Sequence, residues 1–415
     1  MASTTLTSGQ PITVGSRTLV PGPAAITAMA IVLSAWYLNT VISWRQAALF
    51  IVGAFAGVVL YHAAFGFTSS WRVFISDRRG AGLRAQMVML ALTCVVFFPL
   101  LASGSIFGQP LRGSVSPIGV GVAAGAFLFG LGMQLGGGCA SGTLFSVGGG
   151  STRMVITLLF FIIGSVIGTA HMGWWTAQPA LAPTSLVNTM GPWLGLAASL
   201  LLFGAITWFT MFMERRRHGQ LIDDISPSRS STALRTSGPR WLAGPWPLVA
   251  GAIGLAIVNI ATLTIGGRPW GVTSAFALWG AKWFAAIGID VASWPYWQAP
   301  AQATALRSSV LMDVTSVMDF GIILGALLAA ILAGRFAPAL NISARSLAAA
   351  VIGGLLLGYG ARIAYGCNIG AYFSGIASGS LHGWLWLVAA FAGNIAGTGL
   401  RPMFDLPVER TRTAC

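Results

Sequence analysis

Apolar runs alternate with short polar or glycine-rich stretches along the whole chain. They fall at residues 24–43, 47–65, 84–102, 118–135, 154–173, 193–213, 246–266, 317–332, 346–359 and 385–400. Most approach the roughly 20 residues that cross a bilayer core. The pattern predicts an all-α polytopic membrane protein with about nine to ten transmembrane helices. The first run is too long for the apolar core of a signal peptide, and no small-residue cleavage site follows it. Residues 1–22 read as an N-terminal tail, 23–213 as a first membrane unit, 214–245 as a linker, 246–402 as a second membrane unit and 403–415 as a C-terminal tail. The Trp-rich stretch 279–297 predicts a segment lying at the membrane interface.

Two of the glycine-rich interruptions match each other. Gly130 to Gly142 ends one apolar run with a glycine cluster and Cys139, and Gly358 to Gly370 does the same with Cys367. At an offset of 228, Gly130, Gly132, Gly138 and Gly142 fall on Gly358, Gly360, Gly366 and Gly370, and Ser146 falls on Ser374. With one residue inserted, Gly164 and Gly168 match Gly393 and Gly397. A shorter echo links 66–71 to 271–276. The two membrane units therefore read as an internal repeat, with one cysteine per copy.

The basic residues fix an orientation for these units. The linker carries Arg215, Arg216, Arg217, Arg229, Arg235 and Arg240 and reads as flexible and cytoplasmic. Counting crossings from it, with the glycine-rich pieces treated as re-entrant, places both termini inside. Seventeen of the 23 basic residues then fall on the cytoplasmic side. The same count sends Cys139 in from the cytoplasm and Cys367 in from outside, so the repeats are inverted. Irregular backbone at that depth is tolerated only inside protein or along a polar path. The pairs Gly164/Gly168, Gly354/Gly358 and Gly393/Gly397 would allow close packing around such a path.

Composition agrees with this class. The chain is 55% hydrophobic and 8% charged, whereas soluble domains carry about a quarter charged residues. The net charge of +14 does not signal nucleic acid, because the arginines sit in short loops and form no stripe interleaved with stacking aromatics. Of four cysteines none forms a Cys-x-x-Cys pair, so no local zinc site or redox dithiol is signalled, and no cofactor is implied. Cys94 reads as packing and Cys415 as part of an unstructured end.

The candidate chemistry gathers at the repeated turns. A membrane cysteine is ordinarily small apolar filler, but Cys139 and Cys367 hold equivalent places in a repeated glycine turn. A thiol is a weak, polarizable donor suited to a soft, sulfur-containing anion. The backbone N–H groups of Gly136, Gly137 and Gly138, and of Asn368, Ile369 and Gly370 after Gly366, could form anion-binding nests or helix-start sites. Arg362 lies five residues before Cys367, either as a path group or as an interface anchor. Gln134 holds the matching place in the first copy. Arg72 and Arg268 flank the other two re-entrant pieces. His62 reads as a packing hydrogen bond, and His171 and His382 as interfacial. No acidic residue is placed deep in a span, with Asp319 near the start of its helix. That argues against a carboxylate relay or a hard-cation site.

At Gly136-Gly137-Gly138-Cys139-Ala140-Ser141-Gly142, Gly366-Cys367-Asn368-Ile369-Gly370 and Pro269-Trp270-Gly271-Val272-Thr273-Ser274, the chain resembles the YeeE/YedE family of sulfur-transport membrane proteins. The resemblance covers most of the chain outside the termini and the linker. It implies an hourglass-like fold whose short helices pinch a central path, along which thiosulfate hydrogen-bonds to successive cysteine thiols. Carried over by motif, Cys139 and Cys367 are those thiols. Family members can carry another cysteine in the first re-entrant segment of a repeat. Here Thr68 and Thr273 stand in the matching stretches, putting hydroxyls on the path. By the same analogy a cytoplasmic sulfurtransferase is a possible partner, beside the lipid bilayer.

The expected function is a bacterial inner-membrane permease for a small sulfur-containing anion, thiosulfate first. A membrane thiol oxidoreductase passing electrons between Cys139 and Cys367 is the alternative, and a soft-metal channel using Cys and Met a third.

Overall fold

The computed structural model describes residues 21–222, 240–336, 338 and 341–409. Among these the chain is helical, with only two pairs of two-residue strands. Ten of the described helices are long and apolar enough to cross a membrane. The linker residues 223–239 and Cys415 lie outside the described residues.

The main helices are α1 (Pro21–Val41), α2 (Trp44–His62), α3 (Phe67–Asp77), α4 (Ala81–Ser103), α5 (Val120–Gly136), α6 (Ala140–Gly148) and α7 (Thr152–Ala170). They continue with α8 (Pro192–His218), α9 (Leu248–Gly266), α10 (Thr273–Ala286), α11 (Val314–Leu332), α12 (Ala344–Ile363) and α13 (Leu381–Leu400). Between α12 and α13 the segment 368–377 is wound first as a π-helix, Asn368–Phe373, and then as the short α-helix Ser374–Ala377.

Several ends differ from the sequence pattern for identifiable reasons. Helix α8 runs through Arg215, Arg216 and Arg217 to His218 because Glu214 is fully buried and paired with Arg84 of α4. Helix α11 starts at Val314, since Asp313 caps it by accepting from the Ser316 N–H at 2.8 Å. Helix α12 passes unbroken through Gly358 and Gly360, which its partners hold in close contact. The Trp-rich stretch 279–297 begins inside a helix, which short helical turns follow. Residues 273–286 form that helix, α10, packed on α7, with Trp279 stacked on Phe320 at 5.1 Å.

The helix contacts come in matched pairs. Helix α2 packs on α11 as α9 packs on α4, and α7 packs on α12 as α13 packs on α5. Helix α6 meets α11 as 374–377 meets α4, and α10 meets α7 as α3 meets α13. Two further contacts, α2 with α9 and α5 with α12, join equivalent helices directly. Exchanging the two sets of six leaves these pairings unchanged. Helices α1 and α8 stand outside the scheme; α1 touches α2 and α11, and α8 touches α4. They are the least buried spans and expose Trp36, Trp193 and Leu201 to the surroundings.

Glycine sets the closest approaches. A Cβ on Gly354 or Gly164 would collide with backbone of the facing helix, α7 or α12, and one on Gly397 would come within 2.8 Å of the Leu131 carbonyl of α5. Contacts this short let apolar helices pack by dispersion where lipid supplies no hydrophobic driving force between them.

The two ends of the bundle differ in charge. Arg84 with Glu214, Arg153 with Ser346, and Arg345 with Asp405 tie together one end, which also carries Arg78, Arg79 and Arg215 to Arg217. At the other end Gln46 meets the Met312 carbonyl and Trp297 meets Thr169.

Candidate functional site

The first glycine turn is built to start a helix. Helix α5 closes with the Gly137 N–H on the Met133 carbonyl at 3.0 Å, and Gly137 takes φ +94°, a conformation open to glycine. Its N–H is therefore spent on α5 and is not available to a nest, contrary to the sequence reading. Gly138 then leads to Cys139, in extended conformation at the N-cap of α6. The Cys139 carbonyl accepts from the Thr143 N–H and hydroxyl, both at 2.8 Å. Its sulfur accepts from the Gly142 N–H at 3.4 Å and lies 3.4 Å from the Ser141 hydroxyl. A thiol so placed sits on the positive end of a helix dipole.

The second turn repeats the plan with a different winding. Gly366 takes φ +151°, and a Cβ there would sit 2.8 Å from the Ala371 N–H nitrogen. Cys367 follows, extended, as the cap of the π-helical turn, and the N–H groups of Ile369 and Gly370 approach its sulfur. The turn is held from both sides. Ser114 donates to the Gly370 carbonyl at 3.1 Å, and Ser374 donates to the Trp270 carbonyl at 2.7 Å. Asn259, in the middle of α9, accepts from the Trp270 N–H and donates to Ser374.

The two turns meet. Helix α6 touches the π-helical turn, and Cys139 and Cys367 head these two segments. Cys139 is 2% exposed and Cys367 is not exposed, so neither thiol is reached from the surface in this structure. Both cysteines, like Cys94, are free thiols.

Beside Cys367, the Asn368 side chain is fully buried and neither its Nδ2 nor its Oδ1 has a partner. A buried amide without protein partners is costly and calls for a water or a polar ligand. Thr68, second in α3, is buried with its hydroxyl unpartnered, and Thr273 is the buried first residue of α10.

Other residues singled out from sequence are held in place by protein. Gln134 donates to the Asn394 side chain at 2.5 Å and to the Thr68 carbonyl at 3.2 Å, and accepts from Arg72. Arg362 donates to the Tyr296 hydroxyl at 2.7 Å and lies over that ring, at the end of the bundle opposite Arg153. His382 is buried beside the Ser380 hydroxyl at 2.6 Å and is not interfacial. His62 is buried next to Trp246 as a packing group, and the exposed His171 meets the Tyr359 hydroxyl.

Sequence reasoning missed what fixes α5. Arg153 donates to the carbonyls of Leu135 and Gly136, and Arg401 to that of Gln134, so two guanidiniums satisfy the orphan carbonyls ahead of Cys139. A third, Arg72, holds the Glu409 carboxylate through two hydrogen bonds of 2.6 Å. It also missed Asp319, which lies in the second turn of α11, fully buried, with both oxygens unpartnered.

A model of the family described as sulphur transport matches residues 62–396, a range that includes both cysteine turns. The chain belongs to that family. Over 176 residues it is 31% identical to the probable transporter YedE of Escherichia coli, a match that spans only 42% of this chain and 43% of the relative. Over 366 residues it is 27% identical to the thiosulfate transporter TsuA of Spirochaeta thermophila, covering 83% of this chain and 95% of that one. The Escherichia coli TsuA is 25% identical over 357 residues, 83% of this chain and 91% of the relative. The family description and the relatives' names are those of transporters.

Proposed function

We infer that the protein is a bacterial inner-membrane permease that takes up a small sulfur-containing anion, thiosulfate first. The observation that carries this is that two touching helical segments each start at a buried cysteine, with the unpartnered Asn368 amide beside Cys367. Thiols and helix-start N–H groups replace part of the anion's water. None holds it strongly, so the anion can leave as readily as it enters. The substrate class comes from the family and from the printed names of the TsuA relatives.

The matched helix contacts support two inverted repeats whose short elements, α3 with α6 and α10 with 368–377, re-enter from opposite sides to form an hourglass-like constriction. Cys139 then faces the cytoplasmic half of the path and Cys367 the outer half. The arginine-rich end of the bundle supports cytoplasmic termini. A cytoplasmic sulfurtransferase would receive the anion at that end.

Uptake of sulfur-labelled thiosulfate into proteoliposomes tests the reading. Saturable uptake, competed by unlabelled thiosulfate and weakly by sulfate, is the expected result. Uptake no greater than in protein-free vesicles would refute it.

A further inference from the structure

Asp319 is a carboxyl buried in the middle of the helix bundle without partners. Its side chain is fully buried in α11, and neither carboxylate oxygen has a hydrogen-bond partner. An ionised carboxylate without protein partners in such a place is opposed by several kcal/mol or more, which favours the protonated form or a bound cation.

Its position links it to the thiols. On a helix, residues four and seven apart share a face, which places Asp319 in line with Ile323 and Ala326. Those two residues are where Gly148 of α6 packs, so Asp319 lies on the face of α11 that looks toward the Cys139 helix, one turn from the contact. It is also close enough to Cys367 to interact with it electrostatically.

The surroundings favour a proton over a metal cation. The hydroxyls that could complete an oxygen cage are already used. Ser316 donates to Asp313 and accepts from Trp279, and Thr315 accepts from Ser274 and Arg268. A hard cation needs six or more oxygen ligands.

Few ionisable groups compete. On its own helix, Asp313 at the cap is paired with Arg268. From α10, Lys282 is spent on the carbonyls of Leu306 and Ser308. The face of α2 against α11 is Phe50, Gly53, Ala54 and Gly57, and Tyr61 of α2 lies away against Gly149. Tyr37 of α1 lies in the groove with Val317 and Phe320. The remaining group recorded against it is the thiol of Cys367.

We propose that Asp319 binds the proton that travels with the anion, making the protein a proton-coupled symporter. The inference rests on the permease reading above. An ionised Asp319 repels a dianion arriving between the thiols, and a protonated one does not. Anion occupancy therefore favours protonation of Asp319, and protonation favours anion occupancy by the same factor, because the coupling is reciprocal. The proton enters with the anion on one side and leaves with it on the other.

The test uses full-length protein in proteoliposomes, with the membrane potential clamped at zero and a trapped pH dye. Wild-type protein should acidify the lumen on thiosulfate addition and accumulate thiosulfate about tenfold per unit of imposed pH gradient, acid outside. Asp319→Asn should admit thiosulfate without accumulation and without a dye signal, and Asp319→Glu should restore both. Thiosulfate uptake by wild-type protein with no dye signal and no accumulation overturns the inference and leaves the permease reading standing. That result needs no folded variant. Asp319→Asn protein that still accumulates thiosulfate also overturns it. Wild-type vesicles that take up no thiosulfate overturn the permease reading, and the inference with it.

Discussion

Arg153 of α7 donates from Nη1 to the carbonyl oxygen of Gly136 at 2.7 Å, and from Nη2 to that of Leu135 at 2.6 Å. The contact fixes the end of α5 three residues before Cys139 and so sets where the first thiol stands. Hydrogen bonds to charged groups contribute roughly 1.5–3 kcal/mol each when partly buried. Arg153→Ala should therefore lower the melting temperature in detergent and cut thiosulfate uptake by tenfold or more. Arg153→Lys, a point charge without the planar fork, should recover stability better than uptake. Normal uptake in Arg153→Ala would mean that the end of α5 does not position Cys139.

The second turn depends on Gly366. An alanine there would have to keep φ +151° with its Cβ 2.8 Å from backbone, and the turn cannot accommodate both. Gly366→Ala should reduce uptake more than tenfold with little loss of expressed protein. Gly399→Ala serves as the control, since nothing lies within 4 Å of a Cβ at that site, and its uptake should match wild type. Equal uptake in the two variants would contradict a role for this turn.

Stability at the arginine-rich end rests on a buried ion pair. Glu214 is fully buried and accepts from Arg84, from the Gly80 N–H at 3.2 Å and from the Ile222 N–H at 2.9 Å. Removing one partner of a buried pair leaves an uncompensated charge and costs about 3–5 kcal/mol. Glu214→Ala should show a loss of that order in thermal melts, and the double variant Glu214→Ala with Arg84→Met should recover part of it. A double variant no more stable than the single one would rule out the stranded charge as the cause.

Glu409 gives a pH dependence. Burial alone would raise its carboxyl, but the hydrogen bonds and charge of Arg72 outweigh this and hold it below the ordinary glutamate value. A carboxyl depressed on folding stabilises the docked tail above its unfolded value and loses that contribution as pH falls through the depressed one. Hydrogen-exchange protection over residues 401–409, taken relative to the intrinsic rate at each pH, should be high at pH 7 and lost at acid pH. Glu409→Gln should be weakly protected at both. A tail equally protected in Glu409→Gln would show that the ion pair does not hold it.

Much of this fold is legible in sequence because a bilayer imposes a strong code. Apolar runs of spanning length, arginine-rich loops and glycine pairs in the flanking helices are all local signals, and the helices follow them. The two cysteine turns are legible because they repeat, so Cys139 and Cys367 mark each other. What is not legible is long-range pairing. Arg153 reads as a topogenic charge, and only the packing of α7 on the end of α5 makes it a cap for the Gly136 carbonyl. Asp319 falls near a helix start in the apolar pattern, but the helix begins three residues earlier, at Val314. The Asp313 cap was the available signal, an acidic residue three positions before the serine it holds. Asn259 and Ser374 pair across more than one hundred residues, and one polar residue in an apolar run does not reveal its partner.

In the proposed function the two thiols together carry the anion through the buried centre of the bundle. The most direct measurement is thiosulfate uptake into proteoliposomes by Cys139→Ser, Cys367→Ser and the double variant, at equal reconstituted protein and unchanged melting temperature. A hydroxyl keeps the size and a hydrogen-bond donor but lacks the soft, polarizable sulfur. Each single variant should lose at least tenfold in uptake, and the double variant should fall to the level of empty vesicles. Uptake at the wild-type rate in both single variants would contradict the claim.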